Sequence, residues 1–143
     1  VYLNGTNITG RLREEAVGNM ASRCAAVPAV RKKLLELQRK LAEDADVIMD
    51  GRDIGTCVLP DADVKLFLTA SVETRAMRRY RELEEKGERA VLEEIMADIK
   101  ERDERDSNRK IAPLKKAQDA VLVDSSDMTI PEVVQTIVSL CRG

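Results

Sequence analysis

The chain has 143 residues, with 24 Lys+Arg against 26 Asp+Glu, no His, no Trp and 2% aromatic residues. That length suits one domain burying roughly two thirds of its unfolded surface without disulfides or a structural metal, in a core that must be built from Leu, Ile, Val, Met and Ala. The absence of histidine excludes a His-based triad and His-ligated zinc, so any acid, base or cation has to come from Asp, Glu, Lys or Arg. Cys24, Cys57 and Cys141 are odd in number and lack C-x-x-C spacing, which predicts a reduced, cytoplasmic protein. No apolar stretch approaches the roughly 20 residues of a membrane span, and a net charge of −2 predicts neither a nucleic-acid nor a membrane partner.

Val1-Tyr2-Leu3 reads as a strand, followed by the turn-like Asn4-Gly5-Thr6-Asn7. Residues 12–26 are weakly helical, and Pro28 interrupts them before a clearer helix with Val30, Leu34, Leu37 and Leu41 on one face. Three short, mostly apolar runs, 46–49, 64–68 and 120–123, have the character of strands in a sheet covered on both faces. Helices are predicted over 72–86, closed by Gly87, over 90–108, and over 133–141 after the start signals Thr129 and Pro131. Strands alternating with helices predict an α/β fold with a parallel sheet.

Charge is concentrated between Glu73 and Lys110, which hold 11 basic and 12 acidic residues. Most of these are expected on solvated helix faces, in i,i+4 pairs worth a few tenths of a kcal/mol each. One series departs from that pattern. The stripe Ile95, Ile99 continues at helical spacing into Arg102, Asp106 and Arg109. A face buried at one end and charged at the other must border water, a partner or a pocket, because burying an unpaired charge is prohibitive. It reads either as a self-satisfying Arg-Asp-Arg ladder or as a wall of guanidinium forks for phosphate or sugar oxygens. The second candidate is Asp50-Gly51-Arg52-Asp53-Ile54-Gly55-Thr56, at the carboxyl end of the run 47–49, where parallel sheets bind ligands. Its glycines permit tight turns, while Arg52 suits a phosphate and Asp53 an exocyclic amine. As a bare motif it is equally an ordinary strand-end turn. Ser22 and Arg31 flank the break at Val27-Pro28 and would be unremarked alone.

Taken in order, the words Ala21-Ser22, Ala25-Ala26-Val27-Pro28-Ala29-Val30-Arg31, Asp50 through Thr56, Ile99-Lys100-Glu101-Arg102-Asp103-Glu104-Arg105-Asp106-Ser107-Asn108-Arg109, Ala112-Pro113-Leu114 and Asp124-Ser125-Ser126 resemble the bacterial cytidylate kinases across essentially the whole chain. The resemblance implies the three-layer P-loop nucleoside monophosphate kinase fold. Residues 1–43 match the later part of the monophosphate-binding insert, and 44–143 the α/β core, with a short lid around 76–90. The implied activity is phosphoryl transfer from ATP, with Mg²⁺, to CMP or dCMP in pyrimidine nucleotide metabolism, by an intact enzyme that is a monomer. Ser22, Arg31 and Asp53 match residues that read cytosine; Arg52 matches a phosphate contact; Arg102, Asp106 and Arg109 match sugar and phosphate contacts. Arg78 and Arg79 fall where the lid carries arginines toward the transferring phosphoryl.

The family's glycine-rich phosphate loop, ending in Gly-Lys-Gly-Thr, has no counterpart in these residues. Such a loop cradles the ATP phosphates and contributes a hydroxyl to Mg²⁺. The chain is therefore expected to be the carboxyl-terminal portion of a larger enzyme and inactive by itself. The loop's own strand would lie between those matching 46–50 and 64–70, leaving sheet edges able to pair with another chain. Two other readings are a non-catalytic CMP-binding module and a charged helical protein-interaction module.

Overall fold

The computed structural model describes every residue except Arg13, Asp44 and Gly143, and the Glu15 side chain is also left undescribed. The chain divides into two compact units, Val1–Ile48 and Met49–Gly143.

In the first unit, β1 (Tyr2–Leu3) and β2 (Thr6–Asn7) form an antiparallel hairpin in which Tyr2 faces Asn7 and Leu3 faces Thr6. Asn4 and Gly5 both adopt positive φ, 49° and 80°, the conformation a two-residue hairpin turn demands and the one Asn-Gly adopts most readily. A 3₁₀ turn at Thr9–Arg11 leads to α1 (Glu15–Cys24), and α2 (Pro28–Glu43) follows. Pro28 opens α2, where its missing N–H costs nothing. The stripe Val30, Leu34, Leu37 and Leu41 lies along α2 as the spacing predicts, and all four side chains are exposed.

The second unit carries the parallel sheet. Strands β3 (Leu66–Thr69) and β4 (Val121–Asp124) pair in register from Leu66 opposite Val121 to Thr69 opposite Asp124. The ladder is extended by Val121 N–H to Lys65 O at 2.9 Å and by Ser125 N–H to Thr69 O at 2.8 Å. Between these strands run α3 (Val72–Glu85) and α4 (Leu92–Asn108), and α5 (Ile130–Arg142) follows β4. Ser71 caps α3 by accepting the Thr74 N–H at 3.1 Å. Gly87, at φ 71°, ends it: its N–H reaches Glu84 O at 2.9 Å, and the Glu88 N–H reaches Leu83 O at 3.0 Å. That paired closure needs a left-handed residue, which is why glycine stands there. Thr129 and Glu132 cap α5 reciprocally, and the Thr129 N–H and hydroxyl hold the Glu132 carboxyl below its ordinary pKa. With Thr129 as the cap, the helix begins at Ile130, three residues before the sequence expectation.

Residues 46–50 depart from the expectation of a strand, since none of them lies in a ladder. An apolar run becomes a strand only by exchanging backbone hydrogen bonds with a neighbour, and the described residues offer this run none. The buried apolar side chains, Val58, Ala70, Ala76, Ala120 and Val123, all belong to the second unit and lie in or beside the β3–β4 ladder, α3 and the loop after residue 50. Arg75, on α3, fastens that layer: its Nε donates to Ala70 O at 3.0 Å, and its two Nη groups grip the Asp103 carboxylate on α4 at 3.0 and 2.6 Å.

Candidate nucleotide site

The loop after Asp50 meets the charged end of α4. Following Asp53 the backbone makes a single π-helical turn, Ile54–Val58, in which the Leu59 N–H donates to Ile54 O at 2.7 Å. Its glycines serve close approach rather than positive φ: a Cβ on Gly51 would stand 3.0 Å from Ile54 Cγ1, and one on Gly55 3.3 Å from Lys65 Cδ. A side chain at either position would require Ile54 or Lys65 to give way by a few tenths of an ångström. Arg52 and Asp53 leave the loop toward different partners.

The Arg52 Nε donates to Asp106 Oδ2. Asp106 is 1% exposed, a burial that an ionised carboxylate tolerates only among cations. Two more surround it, with Arg102 Nε 3.9 Å from Oδ2 and Arg109 Nη1 3.9 Å from Oδ1. Arg109 also approaches Asp53, its Nη2 standing 3.8 Å from Oδ1. Arg52, Asp53, Arg102, Asp106 and Arg109 are thus one connected cluster. Arg102 has its pKa lowered by burial and, next, by the Arg52 charge, while Asp106 opposes the shift. A cation held against other cations favours an approaching anion.

The expectation that Arg109 shares the helical face needs one correction. Arg109 is the residue after the last turn of α4 and has extended backbone, φ −64° and ψ 141°. It reaches the cluster because the following turn folds back: the Arg109 Nε donates to Ala112 O at 2.6 Å, and the Leu114 N–H donates to Asp106 O at 2.8 Å. Ala112 closes that turn at φ 47°, a left-handed conformation a β-carbon disfavours. The sequence shows no sign of Ala112 as the residue that aims Arg109, because a non-glycine in this conformation carries no compositional signal.

The remaining sequence candidates are Ser22, Arg31, Arg78 and Arg79. Ser22 is in the last turns of α1 and Arg31 at the start of α2, both half-buried and both in the first unit. Arg78, on α3, donates through Nη2 to Ser125 O at 2.6 Å and to Met128 O at 3.2 Å, and so clasps the turn between β4 and α5. Arg79 pairs with Glu82 on its own helix at 3.0 Å. Lys86 and Arg79 together hold Glu82 at a pKa of about 2. Among the described residues no group of three Asp, Glu or Cys side chains could hold a metal ion.

A family model for cytidylate kinase matches residues 1–143. The chain belongs to the cytidylate kinase family. It is 50% identical over 139 residues to a cytidylate kinase of Aeromonas salmonicida, covering 97% of this chain and 60% of that protein. It is 50% identical over 142 residues to one of Pseudomonas paraeruginosa, covering 99% and 62%, and 48% identical over 143 residues to one of Alkaliphilus oremlandii, covering 100% and 66%. The chain thus spans roughly three fifths to two thirds of the length of these cytidylate kinases. Family membership carries with it the P-loop nucleoside monophosphate kinase fold, of which the β3–β4 pair and its flanking helices are the part seen here.

Proposed function

We propose that this chain supplies most of the monophosphate-recognition machinery of a (d)CMP kinase, an enzyme that moves the terminal phosphoryl group of ATP to CMP or dCMP. The observation that carries the reading is the buried Asp106 carboxylate surrounded by Arg52, Arg102 and Arg109, with Asp53 beside Arg109. One carboxylate gathers three cations that would otherwise repel one another, and holds them where phosphate oxygens can be met by preorganised guanidinium groups. Asp53 accepts a hydrogen bond from the cytosine amino group. Uracil has a carbonyl at that position, and two acceptors would then face each other. Ser22 and Arg31 are proposed as further cytosine contacts on the family resemblance alone, as are residues 1–43 as part of the monophosphate-binding insert and 76–90 as a lid presenting Arg78 and Arg79.

The family implies ATP with Mg²⁺ as donor. Mg²⁺, when bound, neutralises charge on the phosphate oxygens. Such an ion is commonly held by one or two carboxylates together with the substrate phosphates and water. Donor phosphates and metal are proposed to be held by the part of the family's length that this chain does not span. A polypeptide limited to these 143 residues is accordingly expected to show no ATP-dependent CMP phosphorylation, and turnover above background would remove that assignment.

Calorimetric titration of the complete protein tests the reading. CMP should bind, UMP should bind at least about tenfold more weakly, and ATP should be consumed only with the cytosine nucleotide. A complete protein that binds CMP without phosphorylating it would be a sensor module. One that binds no CMP would leave the charged helices as a protein-interaction surface.

A further inference from the structure

The Arg52–Asp53–Arg102–Asp106–Arg109 cluster does not account for every arginine at that end of α4. Arg105 lies three residues after Arg102 on α4, next to Asp106, and is only partly exposed. Its Nε is buried without a hydrogen-bond acceptor among the described residues. None of the ion pairs among those residues includes Arg105; Asp103, two residues before it on α4, is taken by Arg75, and Asp106 by Arg52. Arg105 is also close enough to Arg102 for its charge to weigh on that guanidinium. A partly buried cation pressed against a second cation, with Asp103 and Asp106 already engaged, is costly in the unliganded fold. The cost is repaid when an oxyanion arrives, because each guanidinium then gains a charge-assisted hydrogen bond.

We propose that Arg105 binds a phosphate oxygen of the nucleotide, as an anion contact additional to Arg52, Arg102 and Arg109. The assignment rests on the nucleotide-binding reading above. Phosphate is the shared chemistry of two ligands, the acceptor monophosphate and the donor triphosphate, and binding measurements separate them.

The experiment uses the complete protein and the variants Arg105→Gln and Arg105→Lys. Affinities for CMP and for cytidine are measured by calorimetry, KM for ATP by coupled assay, and melting temperature with and without inorganic pyrophosphate. If the acceptor phosphate is the ligand, Arg105→Gln weakens CMP by about tenfold or more and leaves cytidine unchanged, the loss of one charge-assisted contact. If the donor phosphates are the ligand, KM for ATP rises by a similar factor and CMP binding is kept. Either result supports the assignment when Arg105→Lys, which retains the charge, restores part of the loss. CMP, cytidine and ATP constants all within twofold of the parent would overturn it. So would a fall in melting temperature with CMP and cytidine weakened equally in both variants, which is the signature of a packing role. Pyrophosphate keeps the two claims apart. A parent that ignores CMP but is stabilised by pyrophosphate, with that stabilisation lost in Arg105→Gln, would refute the cytidylate reading and retain the anion contact; a parent indifferent to both would refute both.

Discussion

Arg52, in the loop after residue 50, donates to the carboxylate of Asp106 on α4, a side chain only 1% exposed and 54 residues away in sequence. That bond joins loop to helix, and it sets how the site trades stability for binding. Removing the Asp106 charge would leave Arg52, Arg102 and Arg109 facing one another with only Asp53, beside Arg109, as a counter-charge. Asp106→Asn is therefore expected to cost about 2–4 kcal/mol of stability, near the lower end of what breaking a buried ion pair costs because Arg52 is partly solvated. Urea melts would show it as a lower midpoint at unchanged slope. A midpoint equal to the parent's would mean that the arginines are held by their own packing.

Arg102 should behave in the opposite way. Burial and Arg52 both lower its pKa, so the unliganded fold bears a charge it would be more stable without. Arg102→Met in the complete enzyme should leave the melting temperature equal to or above the parent's, while kcat/KM for CMP falls by about 1–3 kcal/mol of transition-state stabilisation. Arg81 is exposed on α3, and Arg81→Met is the control expected to change neither quantity. Equal losses in the two variants would end the case for the charged face of α4.

Which parts of this were legible in the sequence follows from what each feature requires. The helices, the Gly87 stop and strands β3 and β4 depend on local spacing, a left-handed residue or an apolar run, and the sequence carries all three. The run Val47–Met49 is apolar like β3 and is no strand, because a ladder needs a second chain segment that composition cannot encode. At the site, the step from Ile99 to Arg102 and Asp106 announced a face that changes from apolar to charged, and Asp106 is the buried member of it. The partners were not legible: Arg52 and Asp53 are adjacent and oppositely charged, yet they pair with Asp106 and Arg109 rather than with each other. The Arg75–Asp103 pair was invisible for the same reason, being one of many possible pairings within a nearly balanced run of charge.

Asp53 stands where stability and recognition can be separated. Its carboxylate is 3.8 Å from Arg109, too long for a strong hydrogen bond, so the folded state gains little from that contact. Asp53→Ala in the complete protein should abolish most of the discrimination between CMP and UMP. Competition binding with the two nucleotides measures it directly. If melting falls steeply while the CMP preference survives, Asp53 belongs to the fold and not to base recognition.

Arg78 carries two expectations that point to different measurements. The resemblance assigns it to a lid that meets the transferring phosphoryl group, whereas its guanidinium is engaged with Ser125 O at 2.6 Å and Met128 O at 3.2 Å, the carbonyls of the turn after β4. Ser125 is itself buried, and its hydroxyl donates to Thr69 O at 3.0 Å, so the turn ties the end of β4 to the end of β3. Arg78→Met would leave the Ser125 carbonyl without its charged donor, at a cost of about 1–3 kcal/mol. Hydrogen exchange should then quicken at the Ser125 and Met128 amides, while amides in α4 keep their protection. A turn-clasping Arg78 gives that local loosening together with a lower melting temperature and a kcat reduced only in proportion to unfolding. A lid arginine gives a kcat loss of several orders of magnitude in a protein whose melting and exchange match the parent's. Arg79, held by Glu82 on the same helix, is the internal comparison: Arg79→Met disturbs no turn, so a large kcat loss there with Arg78→Met near the parent would assign the lid role to Arg79 alone.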